Sequence, residues 1–569
     1  MCNEFIDMNN MAKAKELRTS SKPGGAAATA GAEEATEITA GGWAGFILAI
    51  IVVLALRFVA LGEVPFGTYI DESSIGYNAF SILRTGADEH GLTMPLFFKA
   101  FGEYKNPVFI YSLVPLVQIF DLSTWTVRLA AALFGLGTAL LTALLAKQAG
   151  LGRWAMGGGF VLAGLTPWLF CLSRVGFEVV ALPFFITLAF WSWLKAIRAK
   201  SLPWFVLSGS AWGVGVFSYP TARLMVPLLV LVLVASYYRD LRQNWATLLI
   251  GLTPLALSFV LLLVWAVQQP GTLSARFNEL SIFNDQGDIL TSLFKFAGNY
   301  LHYFSPSFLF TAGDANLRHH SGHGGELFVS SFPFLLAGVA VAWRRRGQAL
   351  ERFTLIGFLL FPLAASLTRD SAHALRTVNA LPFIFLLVLW GGQWLWELFT
   401  KQRLVLGLWA LLAIVEAASF YTDYFIDYPT RSRAWFGGGI EQTVKAGLQD
   451  RPGALFYSTA AFRDENLHDQ PPFIQPYIQF LHFGKLDPKV FQQQGLAGFK
   501  IFPYESGMTL AKDSLLMLKI GQELTMPSGR PLVLPTGEAP PVGSALISQF
   551  AIPGPLGSQS PVYRIYRTP

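Results

Sequence analysis

The chain has 569 residues, of which 53% are hydrophobic and 14% charged, with a formal net charge of +6. Soluble domains carry about 25% charged residues, so this composition excludes a soluble globule. The basic residues fall in short clusters between apolar runs, a pattern of topology signals that excludes a nucleic-acid-binding patch. Cys2 and Cys171, the only cysteines, lie in the N-terminal tail and inside an apolar run. That placement excludes a disulfide framework and a thiolate metal site.

Residues 1–41 mix Lys13, Lys15, Arg18 and Lys22 with an Ala/Gly/Thr/Glu stretch and lack an apolar core. They read as a disordered cytoplasmic tail, not a signal peptide. Apolar segments follow at 43–61, 107–120, 125–146, 154–172, 178–196, 204–219, 224–238, 245–268, 327–343, 353–367, 376–396 and 403–420. The segment 107–120 stands apart, because it is short, opens on Pro107 and carries Pro115 and Gln118. A run of ~10–14 residues suits an interfacial helix better than a span.

Charge supplies an independent test. With 107–120 on the surface, five basic groups join the Lys-rich tail on one side. They are Lys147/Arg153, Lys195/Arg198/Lys200, Arg239/Arg242, Arg344–Arg346/Arg352 and Lys401/Arg403. If it spans, all of them flip away from the tail. The expectation is therefore an α-helical polytopic membrane protein with about 11 transmembrane helices. Its N-terminus is cytoplasmic, and the transmembrane domain covers 42–420. The outer loops are 62–124 and 269–326, the first holding surface helices near 73–85 and 107–120. Residues 421–569 lose the long apolar runs and gain Pro, Gly and Gln. Strand-like stretches at 454–457, 498–502 and 562–566, with a helical one at 475–483, predict a small extracytoplasmic α/β domain.

On this topology the unusual polar groups gather on the outer face. Asp71, Glu72, Glu103 and Lys105 lie in the first loop, and Arg174 and Glu178 flank a later turn. His302, Asp314, Arg318, His319, His320 and His323 occupy the long loop, and Arg369, Asp370, His373 and Arg376 precede a span. Ionisable groups beside lipid are costly and point to function. Simpler roles fit some of them. Asp71 suits an N-cap of a helix from Ser73, Glu103 and Lys105 a surface ion pair, and Arg174 and Glu178 a helical salt bridge. The group His319, His320 and His323 invites a zinc reading but lacks an obvious fourth ligand.

The acidic pair Asp71-Glu72 after the first span, Glu103-Tyr-Lys105-Asn-Pro107 opening the surface helix, and Ser173-Arg174…Glu178 carry a resemblance. Over roughly 43–420 the chain resembles the polytopic C-type-fold glycosyltransferases, notably the protein O-mannosyltransferases and the lipid A aminoarabinose transferase. The resemblance implies transfer of one sugar, hexosyl or pentosyl, from a polyprenyl-phosphate carrier to an extracytoplasmic acceptor hydroxyl, with inversion. Asp71 is then the general base. Glu72, Glu103 and Glu178 support it or bind substrate, and Lys105, Arg174, His373 and Arg376 hold the donor phosphate.

No cofactor is required, and a divalent metal is not favoured. The expected partners are the lipid-linked donor, a protein, lipid or glycan acceptor, and membrane lipids, with no nucleic acid. The expected location is a prokaryotic inner or plasma membrane. Two departures stand out: Lys105-Asn106-Pro107 replaces the usual Lys-Pro-Pro, and Glu178 stands where Asp is common. A polytopic transporter, or a non-catalytic membrane protein that binds glycans or lipids, remains the alternative.

Overall fold

The structure is a computed structural model. It describes residues 40–567 except 102, 243–244, 274–276, 278–279, 285–287, 371, 400, 450–453, 459–475, 505–514, 526–530, 536–543 and 552–558. The expected tail at 1–41 lies almost wholly outside the described residues.

Each apolar segment of the sequence coincides with one helix or with two consecutive helices. Among the described residues, six are long and apolar enough to cross a membrane. These are Thr124–Gln148, Glu178–Ala199, Trp245–Gln268, Ala349–Ser366, Leu375–Phe399 and Leu404–Ile426. Six shorter apolar helices accompany them: Gly45–Phe58, Pro107–Phe120, Ala155–Leu165, Leu202–Val216, Ala222–Ser236 and Val329–Arg344. Prolines account for part of the shortening. The expected run 154–172 breaks at Pro167, which opens a separate helix, Pro167–Leu172, because proline cannot continue the preceding hydrogen-bond ladder. The helices Trp245–Gln268 and Arg403–Ile426 expose rows of Leu, Ile and Val, such as Leu249, Leu257, Leu263, Leu404, Leu411 and Ile414. Apolar faces of that extent need a nonaqueous neighbour, and lipid supplies it.

Close packing inside the bundle relies on small residues. A Cβ at Gly338 would meet the Leu387 carbonyl, and one at Gly391 the Phe334 carbonyl. The helices Phe332–Arg344 and Leu381–Phe399 therefore touch backbone to backbone, as membrane helices with small contact residues do.

Two helices of the first loop flank a hairpin. The first surface helix is Ile70–Thr85, ended by Gly86 in the left-handed conformation. The second is Pro107–Phe120, with proline in its first turn, where the missing N–H costs nothing. Between them strands β1 (Phe98–Ala100) and β2 (Glu103–Lys105) pair antiparallel, with Ala100 opposite Glu103.

Near the C-terminus a mixed sheet has the order β4-β3-β5-β8-β7, with β6 on the free part of β5. The strands are β3 (Leu455–Ser458), β4 (Ile501–Tyr504), β5 (Leu515–Thr525), β6 (Pro531–Pro535), β7 (Ala545–Ala551) and β8 (Gln559–Arg567). The expected strand at 498–502 begins later, because residues 495–499 form a 3-10 turn. Val444 and Phe480, from helices Ile440–Gln449 and Pro476–Gly484, close a core over Leu455, Tyr457, Ile501, Leu515 and Ile565.

Helix Pro476–Gly484 also faces the first surface helix. Ile478 and Leu481 share a core with Ile75, Ala79 and Phe80, and Ser73 Oγ donates to Gln479 Oε1 at 2.9 Å. The sheet is thereby tied to the helix that carries Asp71.

Candidate active site

The first surface helix begins one turn earlier than expected, with Tyr69 as its N-cap. Asp71 and Glu72 thus both lie in the first turn, where the helix dipole favours negative charge, and Asp71 is not the cap. Their side chains part company there. Glu72 is fully buried. Its carboxylate accepts Arg128 Nε at 2.9 Å and Nη2 at 3.1 Å, Tyr69 N at 3.0 Å and Gly176 N at 2.9 Å. Asp71 instead lines a cavity of about 640 Å³. Its Oδ1 lies 3.0 Å from Lys105 Nζ.

Strand geometry explains the neighbouring pair. Residues two apart on a strand share a face, so Glu103 and Lys105 of β2 meet, with Nζ donating to Glu103 Oε1 at 2.6 Å. Lys105 is buried. Burial works against its charge, but the carboxylates of Asp71, Glu103 and Glu178 outweigh that effect and hold its pKa well above the usual range. The ammonium stays charged inside the cavity wall.

The residue that breaks the expected motif, Asn106, is the N-cap of the second surface helix. Its backbone N donates to Glu178 Oε2 at 2.6 Å and its Nδ2 to Oε1 at 2.7 Å. Its Oδ1 accepts Arg223 Nη2 at 2.9 Å. Asn106 thereby joins Glu178 and Arg223, both of which line the cavity.

The cavity lining also includes Arg376, which donates to Thr368 Oγ1 at 2.6 Å and pairs with Asp370 at 2.8 Å. His373, His319 and Arg318 line the cavity too. The Arg318 guanidinium lies 4.2 Å from the Tyr69 ring centre and 5.2 Å from that of Trp435, a cation held by aromatic faces.

The structure therefore brings Asp71, Glu103, Lys105, Glu178, His373 and Arg376 to one cavity. Glu72 and Arg174 do not line it. Arg174 is fully buried and donates to the carbonyls of Leu56 (2.9 Å), Arg57 (2.8 Å) and Val59 (2.8 Å). It thus caps the C-terminal end of the first helix, Ala40–Phe58, a site where cations are favoured. No Arg174–Glu178 bridge forms among these contacts, because residues 173–177 make a turn, not a helix. The imidazole group also disperses. His320 is buried beside the Gly325 carbonyl, and burial pushes its pKa down to about 4. His323 lies 3.2 Å from Ser419 Oγ. The local sequence marks neither Arg223 as a partner of Asn106 nor Arg318 as a cavity cation, because both depend on contacts far apart in the chain.

Residues 104–265 match the family of dolichyl-phosphate-mannose-protein mannosyltransferases. Two solved structures of ArnT from Cupriavidus metallidurans align over 92% of this chain and 98% of theirs. The apo form has a TM-score of 0.52 at 14% identity. The form bound to undecaprenyl phosphate has a TM-score of 0.52 at 15% identity. No curated protein matches the chain in sequence. The chain is a polytopic α-helical membrane protein with the C-type fold of these ArnT structures, and its residues 104–265 match the dolichyl-phosphate-mannose-protein mannosyltransferase family model.

Proposed function

We propose that this protein is an inverting membrane glycosyltransferase that moves one sugar from a polyprenyl-phosphate carrier to an acceptor hydroxyl outside the cytoplasm. The observation that carries the reading is the pairing of Asp71 with Lys105 at 3.0 Å on a cavity wall. A base and a phosphate-binding cation then meet where a lipid head group can enter. The kinship over 104–265 and the undecaprenyl phosphate held by the ArnT structure support the same donor class.

In the proposed reaction the acceptor oxygen attacks the anomeric carbon from the face opposite the phosphate. The new C–O bond forms as the bond to the phosphate oxygen breaks, and the bonding pair leaves with the polyprenyl phosphate. Asp71 takes the hydroxyl proton. Lys105 and Arg376 hold the leaving phosphate, whose charge grows in the transition state. A donor phosphate on Lys105 would compete with Asp71 for the ammonium and free the carboxylate to act. Glu103 and Glu178 orient Lys105 and the sugar or acceptor hydroxyls, and His373 faces the same phosphate. With eleven spans and the N-terminus in the cytoplasm, the cavity and the C-terminal sheet both lie outside. The sheet, tied to the Asp71 helix, is placed to select a protein, lipid or glycan acceptor.

Intact-lipid mass spectrometry of the purified protein should find a polyprenyl-phosphate sugar. Asp71→Asn should retain that lipid and lose transfer. Full transfer by Asp71→Asn with the identified donor would remove Asp71 as the base. Lys105→Ala and Arg376→Ala should raise the donor KM.

A further inference from the structure

We infer that Asp314, His319 and His373 form a divalent-metal site on the wall of the cavity, of the type that binds zinc. One ligand atom from each residue can be chosen so that all lie within 4.8 Å of one another, and donors sharing a tetrahedral ion at ~2 Å lie roughly 3.3 Å apart, so side-chain shifts of about an ångström close the set. Two imidazoles and one carboxylate, with a further position open to a cavity, make a donor set suited to zinc at a reactive site. His319 and His373 line the cavity, and their rings lie 4.5 Å apart at 32°. The site is therefore assembled from two separate segments, 314–319 and 373.

The surroundings of Asp314 are those of a ligand held in place. It is buried, yet its carboxylate accepts Asn316 N at 2.8 Å and Ala374 N at 2.9 Å. Such outer hydrogen bonds fix the orientation of ligating carboxylates. His319 Nδ1 stands 2.9 Å from Asp314 Oδ2. Glu326, whose Oε1 accepts Asp314 N at 3.0 Å, backs the site from inside the protein.

The placement gives the ion a function within the proposed reaction, on which this part of the inference rests. His373 is three residues from Arg376, and a bound cation would add positive charge to the wall that faces the donor phosphate. The ligand class is a divalent cation, and the site differs from the sequence group His319, His320 and His323, of which only His319 takes part.

The test reads metal directly and uses no sugar donor, so its failure leaves the transferase reading standing. The full-length protein in detergent is stripped with chelator and titrated with zinc chloride alone. Cobalt(II) absorption then reports the geometry. The wild type should bind about one equivalent, with the intense visible bands of a four-coordinate cobalt site. His373→Gln and Asp314→Asn should each lose affinity by at least about tenfold, and His323→Ala should bind like the wild type. Circular dichroism in chelator checks that the variants fold, and His373→Gln, the milder change, decides the matter if Asp314→Asn does not. Zinc binding that is absent in the wild type, or unchanged in folded His373→Gln, overturns the site.

Discussion

The neighbours Asp71 and Glu72 should give opposite phenotypes when neutralised. Glu72 is fully buried and receives four donors, two of them from Arg128. Arg128, also fully buried, further donates to the carbonyls of Pro65 (2.8 Å) and Gly67 (2.6 Å). Removing one partner of a buried ion pair costs roughly 3–5 kcal/mol, because the other charge is stranded. Arg128→Met strands the Glu72 carboxylate in this way. Glu72→Gln keeps the shape but turns an amide donor toward a site that supplies only donors. Both variants should unfold at clearly lower temperature in detergent.

The double variant Glu72→Gln/Arg128→Met should lose less than the sum of the singles, since no charge is left stranded. Asp71 contacts the cavity and Lys105 only at a partly exposed position. Asp71→Asn should therefore change the unfolding temperature little while abolishing transfer. Thermal unfolding followed by intrinsic fluorescence, with transfer assayed on the folded fraction, separates the cases. A Glu72→Gln protein with wild-type stability but no transfer would refute the assignment and place Glu72 in the chemistry.

Arg174→Met should destabilise the protein by about 2–4 kcal/mol by leaving helix-end carbonyls unpaired. Donor KM measured on the folded fraction should not move, and a raised KM at normal stability would return Arg174 to the phosphate site. Asn106→Ala removes side-chain hydrogen bonds to both Glu178 and Arg223. At about 1.5 kcal/mol for each bond to a charged group, about 3 kcal/mol for the two, kcat/KM should fall by roughly 150-fold. An unchanged value would make the Asn106 link irrelevant to turnover.

Glu89 tests the tie between the first loop and the C-terminal sheet. Burial pushes its carboxyl up to about 8, against contacts with Asn78 and Tyr477 that lower it and an Asp88 charge that raises it further. The folded state thus holds a proton that the unfolded chain releases from about 4.5 upward. The stabilisation is complete below that pH and is lost as pH rises through about 8, up to about 5 kcal/mol in all. Unfolding temperature should fall over this window in the wild type and stay flatter in Glu89→Gln. Equal pH slopes would remove Glu89 as the cause.

What the sequence made legible was local. The apolar segments, the surface character of 107–120 and the strand-like stretches near the C-terminus depend on runs and periods within a few residues, and helices and strands follow there. The site was partly legible for a related reason. Lys105, Glu178 and Arg376 each sit at the edge of an apolar segment, Asp71 lies ten residues beyond one, and one cavity gathers them. Pairings across 56 or more residues left no local trace. Arg128 reads as an ordinary charge near the start of a span, yet it holds Glu72 from 56 residues away. Arg174 looks like a site cation by its neighbours, but its partners lie 115–118 residues upstream. His319 and His373 meet across a whole span pair, while His320 and His323, neighbours of His319 in the sequence, turn elsewhere.

Helix geometry explains why an acidic pair, not a single acid, opens the first surface helix. Successive residues on a helix point about 100° apart, so one carboxylate can face inward while the next faces the cavity. Glu72 uses the inward direction to bind Arg128 on helix Thr124–Gln148 and the Gly176 amide beside the Glu178 segment. That fixes the first turn against two elements of the bundle. Asp71, one residue earlier on the same rigid turn, inherits the fixed position without spending its own carboxylate on it. A general base must be held within hydrogen-bond reach of its proton, and for the base proposed here the buried neighbour does the holding. In the proposed reaction the two acids thus act at one point of the chain through different links, Glu72 through packing and Asp71 through chemistry.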